Sequence, residues 1–599
     1  MAAEMSQPAA SAEQVAELCG RRLQSCIRSN FIANTLPASE AAEMLRNACK
    51  AKTAGCQSGL AKSASTWRSK SNLHRNLMRG IEKESTWPKL YYADITVVDR
   101  KAGKSCKARH PFLLPHEVLA ALREQNGDAA MADLCVSAET DPALFQKAWE
   151  TARSLEAEMS QPDEAERSQP AGIVGVGLHA DGVPLGTAGD SVENVAYNFC
   201  CSSALKWLRV LFTCIPKRWA VKQHSMDDIL EIFRWSMLHC ALGRHPRARH
   251  DGSPFLATEK SRAKKAGMSL PKAMLLEIRA DWAWLKQGLG FPAWNEKSGI
   301  CFLCKATPDN YKDMSDSAVW KTERVLAAEF HRKILETGGY VCPLFKLPGV
   351  CKDSVVLDWL HNVDAGVSAD FAGNALLELV DSLPGATRRQ KCSGLWGKNL
   401  ELYSTEAETS RKKDKMDELK PELFIQPKKS PKLRCKAAVV RHFVPVLCKL
   451  LQEVWAGESC AEQCTCSGVC KDAHRGTVKA AAAELLKCYK CLDNWDPDVL
   501  QTAARRFATL LIALEGSSNV ASPGTRKWRV KPKLHYFMEL TTHMAKTRGN
   551  PAKYWVYADE SFGGKLRNMA ELRGGKNSAR RVAENLLLRF RAKQNLPVI

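Results

Sequence analysis

The segment from about residue 170 to 281 limits the possible folds of this chain more than any other. Ile173-Val-Gly-Val-Gly-Leu-His-Ala is a dense apolar run that reads as a strand, stopped by the turn signal Asp181-Gly182. Val195–Cys201 and Trp207–Ile215 are two more strand candidates, rich in β-branched and aromatic residues. Met226–Leu242 places Ile229, Ile232, Phe233, Met237 and Cys240 at helical spacing, with Ser225 or Asp227 as a cap. Ala273–Ala280 then reads as a fourth strand running straight into Asp281. Strand, strand, strand, helix, strand predicts an α/β sheet, with an aspartate expected at the end of two of its strands.

The flanking text differs. Residues 1–169 are rich in Ala, Glu, Lys and Ser and read as a helical accessory region with linker. Ala3-Glu-Met-Ser-Gln-Pro8 recurs as Ala157-Glu-Met-Ser-Gln-Pro162, a composition typical of linkers. A first core segment is expected over 170–309 and a helical insertion over 310–530. Within the insertion, Ala437–Trp455 and Thr477–Trp495 are amphipathic, and Asp496-Pro497 starts a third helix with an N-cap and a proline at its first position. Residues 531–599 return to aromatic, strand-like text at Tyr554–Tyr557. They end in a basic helix, Ser578–Lys593, with Val582, Leu586 and Phe590 as its stripe and Arg581, Arg589 and Arg591 among its charges.

Length and charge narrow the function. At 599 residues the chain is too long for one ordinary core. Lys plus Arg is 87 against 65 Asp plus Glu, a net charge of +22 that suits a polyanionic partner such as nucleic acid. No apolar stretch approaches the ~20 residues of a membrane span, so no membrane partner is expected. No secretory signal is visible, and the 23 cysteines therefore read as reduced thiols and metal ligands.

Three acids carry the chemistry. Asp181 and Asp281 sit at the predicted strand ends, and Glu560 lies in Tyr557-Ala-Asp-Glu560-Ser-Phe. Carboxylates converging from distant places in sequence suit two hard divalent cations, Mg²⁺ or Mn²⁺, which together cut or join phosphodiesters. Asp559 and Glu571 are rivals for the third place. Each acid also has a plainer reading, Asp181-Gly182 as a turn and Asp281 as the opening of the Trp282–Leu289 helix.

Taken in order, these features resemble the eukaryotic DDE-type DNA transposases, in the superfamily that includes CACTA-type and Transib elements. The match rests on Leu178-His-Ala-Asp181-Gly-Val-Pro184, on Asp281 followed by Cys301-Phe-Leu-Cys304, on Asp358-Trp-Leu-His361, and on His535 and His543 before Glu560. The chain is also similar to transposase-like open reading frames of dinoflagellate genomes, through Trp235-Ser, Gly243-Arg-His-Pro246 and His250-Asp-Gly252. The resemblance covers roughly 170–599. It implies a ribonuclease H-like mixed sheet interrupted by the long helical insertion, with Asp181, Asp281 and Glu560 as catalytic metal ligands. It further implies double-stranded DNA partners (transposon ends and target), a nuclear location in keeping with the basic linker Arg411–Lys436, and a possible homo-oligomer.

Cys301-x-x-Cys304 has the spacing of a structural zinc site, which needs two more ligands. The resemblance offers His535 and His543, with His361 as a rival. A second cluster, Cys460, Cys464, Cys466 and Cys470 with Cys488 and Cys491, is weaker, because the last two fall in a helical pattern. Asp358 and His361 read as structural. Lys565, Arg567, Arg573, Lys576, Arg580 and Arg581 follow Glu560 and are the expected phosphate contacts. Two other functions remain compatible with the sequence: a catalytically inactive, domesticated transposase descendant that binds DNA, and a zinc-stabilised interaction protein.

Overall fold

A computed structural model of the chain describes all residues except 1–10, 33–35, 58, 68–71, 100–101, 159–171, 186–189, 201–204, 206, 331–340, 406–413, 457–470, 523, 571–577 and 594. The chain is mixed α/β and divides into two compact units. The first holds Met1–Glu277, Cys342–Val350 and Ala558–Ile599; the second holds Ile278–Val341 and Cys351–Tyr557. Residues 1–169 thus share a unit with 170–277 and with 558–599.

The first unit contains a hairpin where the sequence suggested only helices and linker. Its strands β1 (Tyr91–Asp99) and β2 (Lys104–Phe112) pair antiparallel, Tyr91 opposite Phe112. Tyr91, Ala93, Ile95 and Val97 alternate inward, as a half-buried strand requires. The hairpin is stitched to the main sheet by the Leu113 N–H, which donates to Phe212 O at 2.9 Å, and by His110, whose Nε2 lies 3.0 Å from Thr213 Oγ1.

The main sheet starts with β3 (Ile173–Leu185), β4 (Asp190–Phe199) and β5 (Val210–Pro216), antiparallel neighbours in turn. β6 (Lys272–Ala280) lies on the other side of β3, giving the order β5-β4-β3-β6. The chain leaves the first unit within β6. In the second unit, the end of β6 pairs in parallel with β7 (Val355–Val356), Ile278 opposite Val355 and Arg279 opposite Val356. The sheet is therefore mixed. Between β5 and β6 the helix His224–Ala241 buries Ile229, Ile232, Phe233, Met237 and Cys240, the residues at helical spacing. Neither expected cap is used. Gln223 stands at the N-cap, and Ser225 instead donates to Thr96 O at 2.5 Å and accepts the Val221 N–H at 2.8 Å.

Asp181 does not end its strand. β3 runs on through Gly182 to Leu185, with Asp181 opposite Asn194. Gly182 forms no turn there; it lies beside Lys217, which pairs with Glu193 at 2.9 Å. The segment Tyr554–Tyr557 is likewise no strand; it leads into the helix Tyr557–Ala570.

The last helix, Ala579–Lys593, is less basic in character than its sequence. Arg589 and Arg591 are buried, the first donating to the carbonyls of Ile32 and Met569, the second to Glu82 and Trp87 O. This helix packs on β2, β5 and the helices Ala12–Ile32 and Leu73–Lys83. In the second unit, the helices Ala437–Val454, Lys471–Asp493 and Pro497–Ala521 match the amphipathic text. Asp496 caps the third, accepting the N–H groups of Asp498 and Val499 at 3.0 Å each. Among the described residues no helix is long and apolar enough to cross a membrane.

Candidate functional site

Two sets of residues concentrate chemistry. The first is a buried cluster in the second unit. Cys301 and Cys304 sit on a tight turn in which the Leu303 N–H points at Cys301 Sγ (3.4 Å) and the Ile300 N–H donates to Ala306 O. The turn is braced by residues 323–325: the Lys305 N–H donates to Glu323 O, the Val325 N–H to Leu303 O, and Cys304 bridges to Arg324. Opposite it, the helix Lys533–Glu539 presents His535 and Glu539, four residues apart and so on one face. One ligand atom from each of Cys301, Cys304, His535 and Glu539 lies within 4.8 Å of all the others, and all four residues are buried.

This donor set could hold a metal and is consistent with structural zinc. Zn–S and Zn–N bonds near 2.3 and 2.0 Å give tetrahedral edges of about 3.5 Å. Cys304 Sγ to His535 Nε2 measures 3.3 Å, and His535 Nε2 to Glu539 Oε1 measures 3.7 Å. Charge also balances: two thiolates and a carboxylate offset a divalent ion together with Arg324, whose guanidinium grips Glu539 at 2.7 and 2.9 Å. Burial raises the Cys301 pKa, but hydrogen bonds from Cys304 and His535 outweigh it and bring the thiol down to about 6. The Cys304 thiol is pushed up by its bond to Cys301 and by burial, so one sulfur ionises well before the other. Burial also raises Glu539, yet the charges of His535 and Arg324 hold it below the usual carboxylate range.

Of the four ligands expected, Cys301, Cys304 and His535 meet, and His543 does not join them. It stands eight residues beyond His535, about 12 Å along a helix axis, inside the π-helical turn at Leu540–Met544. Glu539 takes its place. The sequence signal for it is His535-x-x-x-Glu539, one helical turn. His361 is committed elsewhere: its Nδ1 lies 2.8 Å from the Asp358 carboxylate, which also accepts the His361 N–H, as a structural pair would. Cys488 and Cys491 are buried in the helix Lys471–Asp493 and belong to no metal-holding group among the described residues. Cys460, Cys464, Cys466 and Cys470 lie outside the described residues.

Beyond His361 the same segment carries a fully buried carboxylate. Asp364 accepts hydrogen bonds from Tyr489 Oη and Tyr557 Oη at 2.5 Å each and from Trp359 Nε1 at 3.2 Å. Burial dominates and pushes its pKa up to about 7, against the pull of Arg441 and the two phenols.

The second set is the three acids. Asp181 and Glu560 belong to the first unit, on elements in contact. Gly563, one turn beyond Glu560, sits so close to β3 that a Cβ there would be 3.2 Å from Val183 Cγ2. Val183 is two residues from Asp181 and therefore on its face of the strand. The Asp181 carboxylate accepts the Gly182 N–H at 2.6 Å, and the Asp181 carbonyl accepts Asn194 Nδ2 at 2.8 Å. The rival Asp559 is spent in a buried, two-pronged pair with Arg209 at 2.5 and 3.2 Å. Glu571 lies outside the described residues. Asp281 belongs to the second unit, directly after β6. Its carboxylate caps the Trp282–Leu289 helix, accepting the Trp284 N–H at 2.7 Å, the plainer role its sequence position allowed.

Lys565 and Arg567 are exposed on the helix that carries Glu560, and Arg580 and Arg581 on the last helix. Arg580 lies over the Tyr92 ring at 5.4 Å and near Glu584 at 3.9 Å. Arg573 and Lys576 fall outside the described residues. No known family profile matches the chain, and no curated protein matches it.

Proposed function

We propose that this chain is a transposase-like enzyme that cuts and joins DNA through Asp181, Asp281 and Glu560 on a ribonuclease H-like core. The observation that carries the reading is the contact of Gly563 with Val183. It sets the helix of Glu560 on the face of β3 from which Asp181 projects. The sheet order, with the first of its strands flanked by both the second and the fourth, supports the same core. Asp281 enters from the sequence, as the acid directly after β6.

The three carboxylates would hold Mg²⁺ or Mn²⁺, which when bound would activate an attacking hydroxyl and stabilise the departing oxygen. The chain's own part is to fix these acids. Asp181 is oriented by the Gly182 N–H, and Glu560 is anchored through the neighbouring Arg209–Asp559 pair. Lys565 and Arg567 stand exposed on the same helix, where they could meet DNA phosphates. The zinc-like cluster supports the reading as a staple between the Cys301–Cys304 turn and the His535 helix, within the insertion-bearing unit.

The test is Mg²⁺- or Mn²⁺-dependent nicking of supercoiled plasmid, paired with protein self-cleavage by Fe²⁺ and ascorbate in place of Mg²⁺. Cuts clustered at residues near 181, 281 and 560, lost together with nicking in Asp181→Asn and Glu560→Gln, are expected. Fe²⁺ cuts that ignore these acids would overturn the site. The capping role of Asp281 favours a second reading, a DNA-binding descendant without catalysis. Salt-dependent DNA binding without nicking, equal in wild type and Asp181→Asn, is its signature.

A further inference from the structure

Three motifs of the sequence, Trp235-Ser236, Gly243-Arg-His-Pro246 and His250-Asp-Gly252, take no part in the proposed chemistry. In the first unit Trp235, His245 and Pro246 of the first two line one cavity of about 300 Å³, and the third lies behind its wall. That volume is at the lower end of small-molecule sites, and it admits one ring system with its substituents. We infer that this cavity binds a single nucleobase carrying a phosphate.

The argument starts from two histidines. His116 and His245 both line the cavity, with ring centroids 6.0 Å apart, and both are more than nine-tenths buried. Ser236 Oγ holds His116 Nδ1 at 2.8 Å, which fixes the ring. His116 Nε2 and both ring nitrogens of His245 have no hydrogen-bond partner among the described residues. Burial holds both imidazoles below their usual pKa, helped by neighbouring positive charge, so at neutral pH His245 offers one donor and one acceptor nitrogen, and His116, with Nδ1 engaged by Ser236, offers its Nε2. Two such groups side by side suit the mixed donor–acceptor edge of a base.

The walls and rim supply the rest. Trp235 is fixed by stacking on Tyr91 at 5.5 Å, and Tyr91 is held by His250 at 2.7 Å, so the third motif buttresses the cavity. Phe255 is half-exposed, lines the cavity and meets no other ring among the described residues, which leaves a face for stacking. Of the charged residues at the rim, Arg262 pairs with Glu117 at 2.6 Å and Lys265 with Glu124. Lys89 is exposed and has no acidic partner among the described residues. The rim thus carries one uncompensated positive charge, suited to a phosphate.

The chemistry could come from a free nucleotide or from a base turned out of DNA. Calorimetry on the full chain separates these, with deoxyadenosine monophosphate, deoxyadenosine, inorganic phosphate and a duplex bearing one mismatch as probes. The monophosphate should bind saturably and inorganic phosphate should not. Phe255→Ala should weaken the monophosphate and the nucleoside on the order of ten-fold. Lys89→Ala should weaken the monophosphate alone. Both residues are surface-accessible, so the variants should fold. Competition by the mismatched duplex would assign the base to DNA, and its absence would assign it to the nucleotide pool. No saturable monophosphate binding, equal binding of inorganic phosphate, or indifference to Phe255→Ala would overturn the inference. Because the readout is affinity alone, it can fail or succeed independently of strand cleavage.

Discussion

Asp364 gives a sharp test of how the second unit is held together. Its carboxylate is fully buried under Tyr489, Tyr557 and Trp359, with a pKa raised to about 7 from an ordinary 3.8. The folded state therefore keeps a proton that the unfolded chain releases between pH 4 and pH 7. Where the native state binds more protons, stability falls as pH rises. The contribution is fully present below pH 3.8 and is lost as pH climbs through about 7. The shift of roughly three units corresponds to on the order of 4 kcal/mol in total, of which roughly 2–3 kcal/mol should vanish between pH 5 and pH 7.5. Asp364→Asn keeps the shape and removes the titration. Urea unfolding followed by tryptophan fluorescence at the two pH values should show wild type losing roughly 2–3 kcal/mol more than the variant. Identical pH dependence in the two proteins would refute the reasoning, since no other residue changes in the comparison.

Purified protein should contain zinc that Cys301→Ser or Cys304→Ser removes and His543→Ala leaves in place, measured by atomic absorption after dialysis; equal zinc in all four proteins would remove the site. Asp559→Ala should cost about 3–5 kcal/mol in chemical denaturation by stranding the buried Arg209, whereas Arg209→Met with Asp559→Leu should recover most of it. If Lys565 and Arg567 meet DNA phosphates, replacing both with Ala should flatten the log K against log salt slope by up to about two units.

The strands β4, β5 and β6 and the helix His224–Ala241 were legible because their burial is one-sided or complete, and their residues repeat accordingly. The hairpin β1–β2 escaped notice although Tyr91, Ala93, Ile95 and Val97 alternate properly. Its partner β2 begins Lys-Ser-Cys-Lys-Ala-Arg, an exposed edge with no apolar pattern. Asp181-Gly182 misled for a different reason. The dipeptide is a turn signal only where the chain reverses, and here it lies inside a strand whose pairing with β4 continues to Leu185. The two cysteines of the metal cluster were readable by spacing, and His535 came from the family resemblance. The carboxylate was not, because Glu539 looks like any helical glutamate until Arg324 is seen to hold it. The basic helix was misjudged in part because an arginine's burial depends on carbonyls that only tertiary structure supplies, as at Arg589 and Arg591.

The packing of the helix Ala579–Lys593 on β2 and β5 has a consequence for how the protein is made. Its partners are synthesised early, yet the helix emerges only after the roughly 280 residues of 278–557 have been translated. At about 5–20 residues per second that is a wait of some 15–60 s. Through it, the nascent hairpin and sheet face must stay soluble without their cover, while the second unit has its whole sequence outside the ribosome first. The half begun first is thus the half finished last, and a ribosome that stalls before residue 579 releases a chain whose opening domain cannot close.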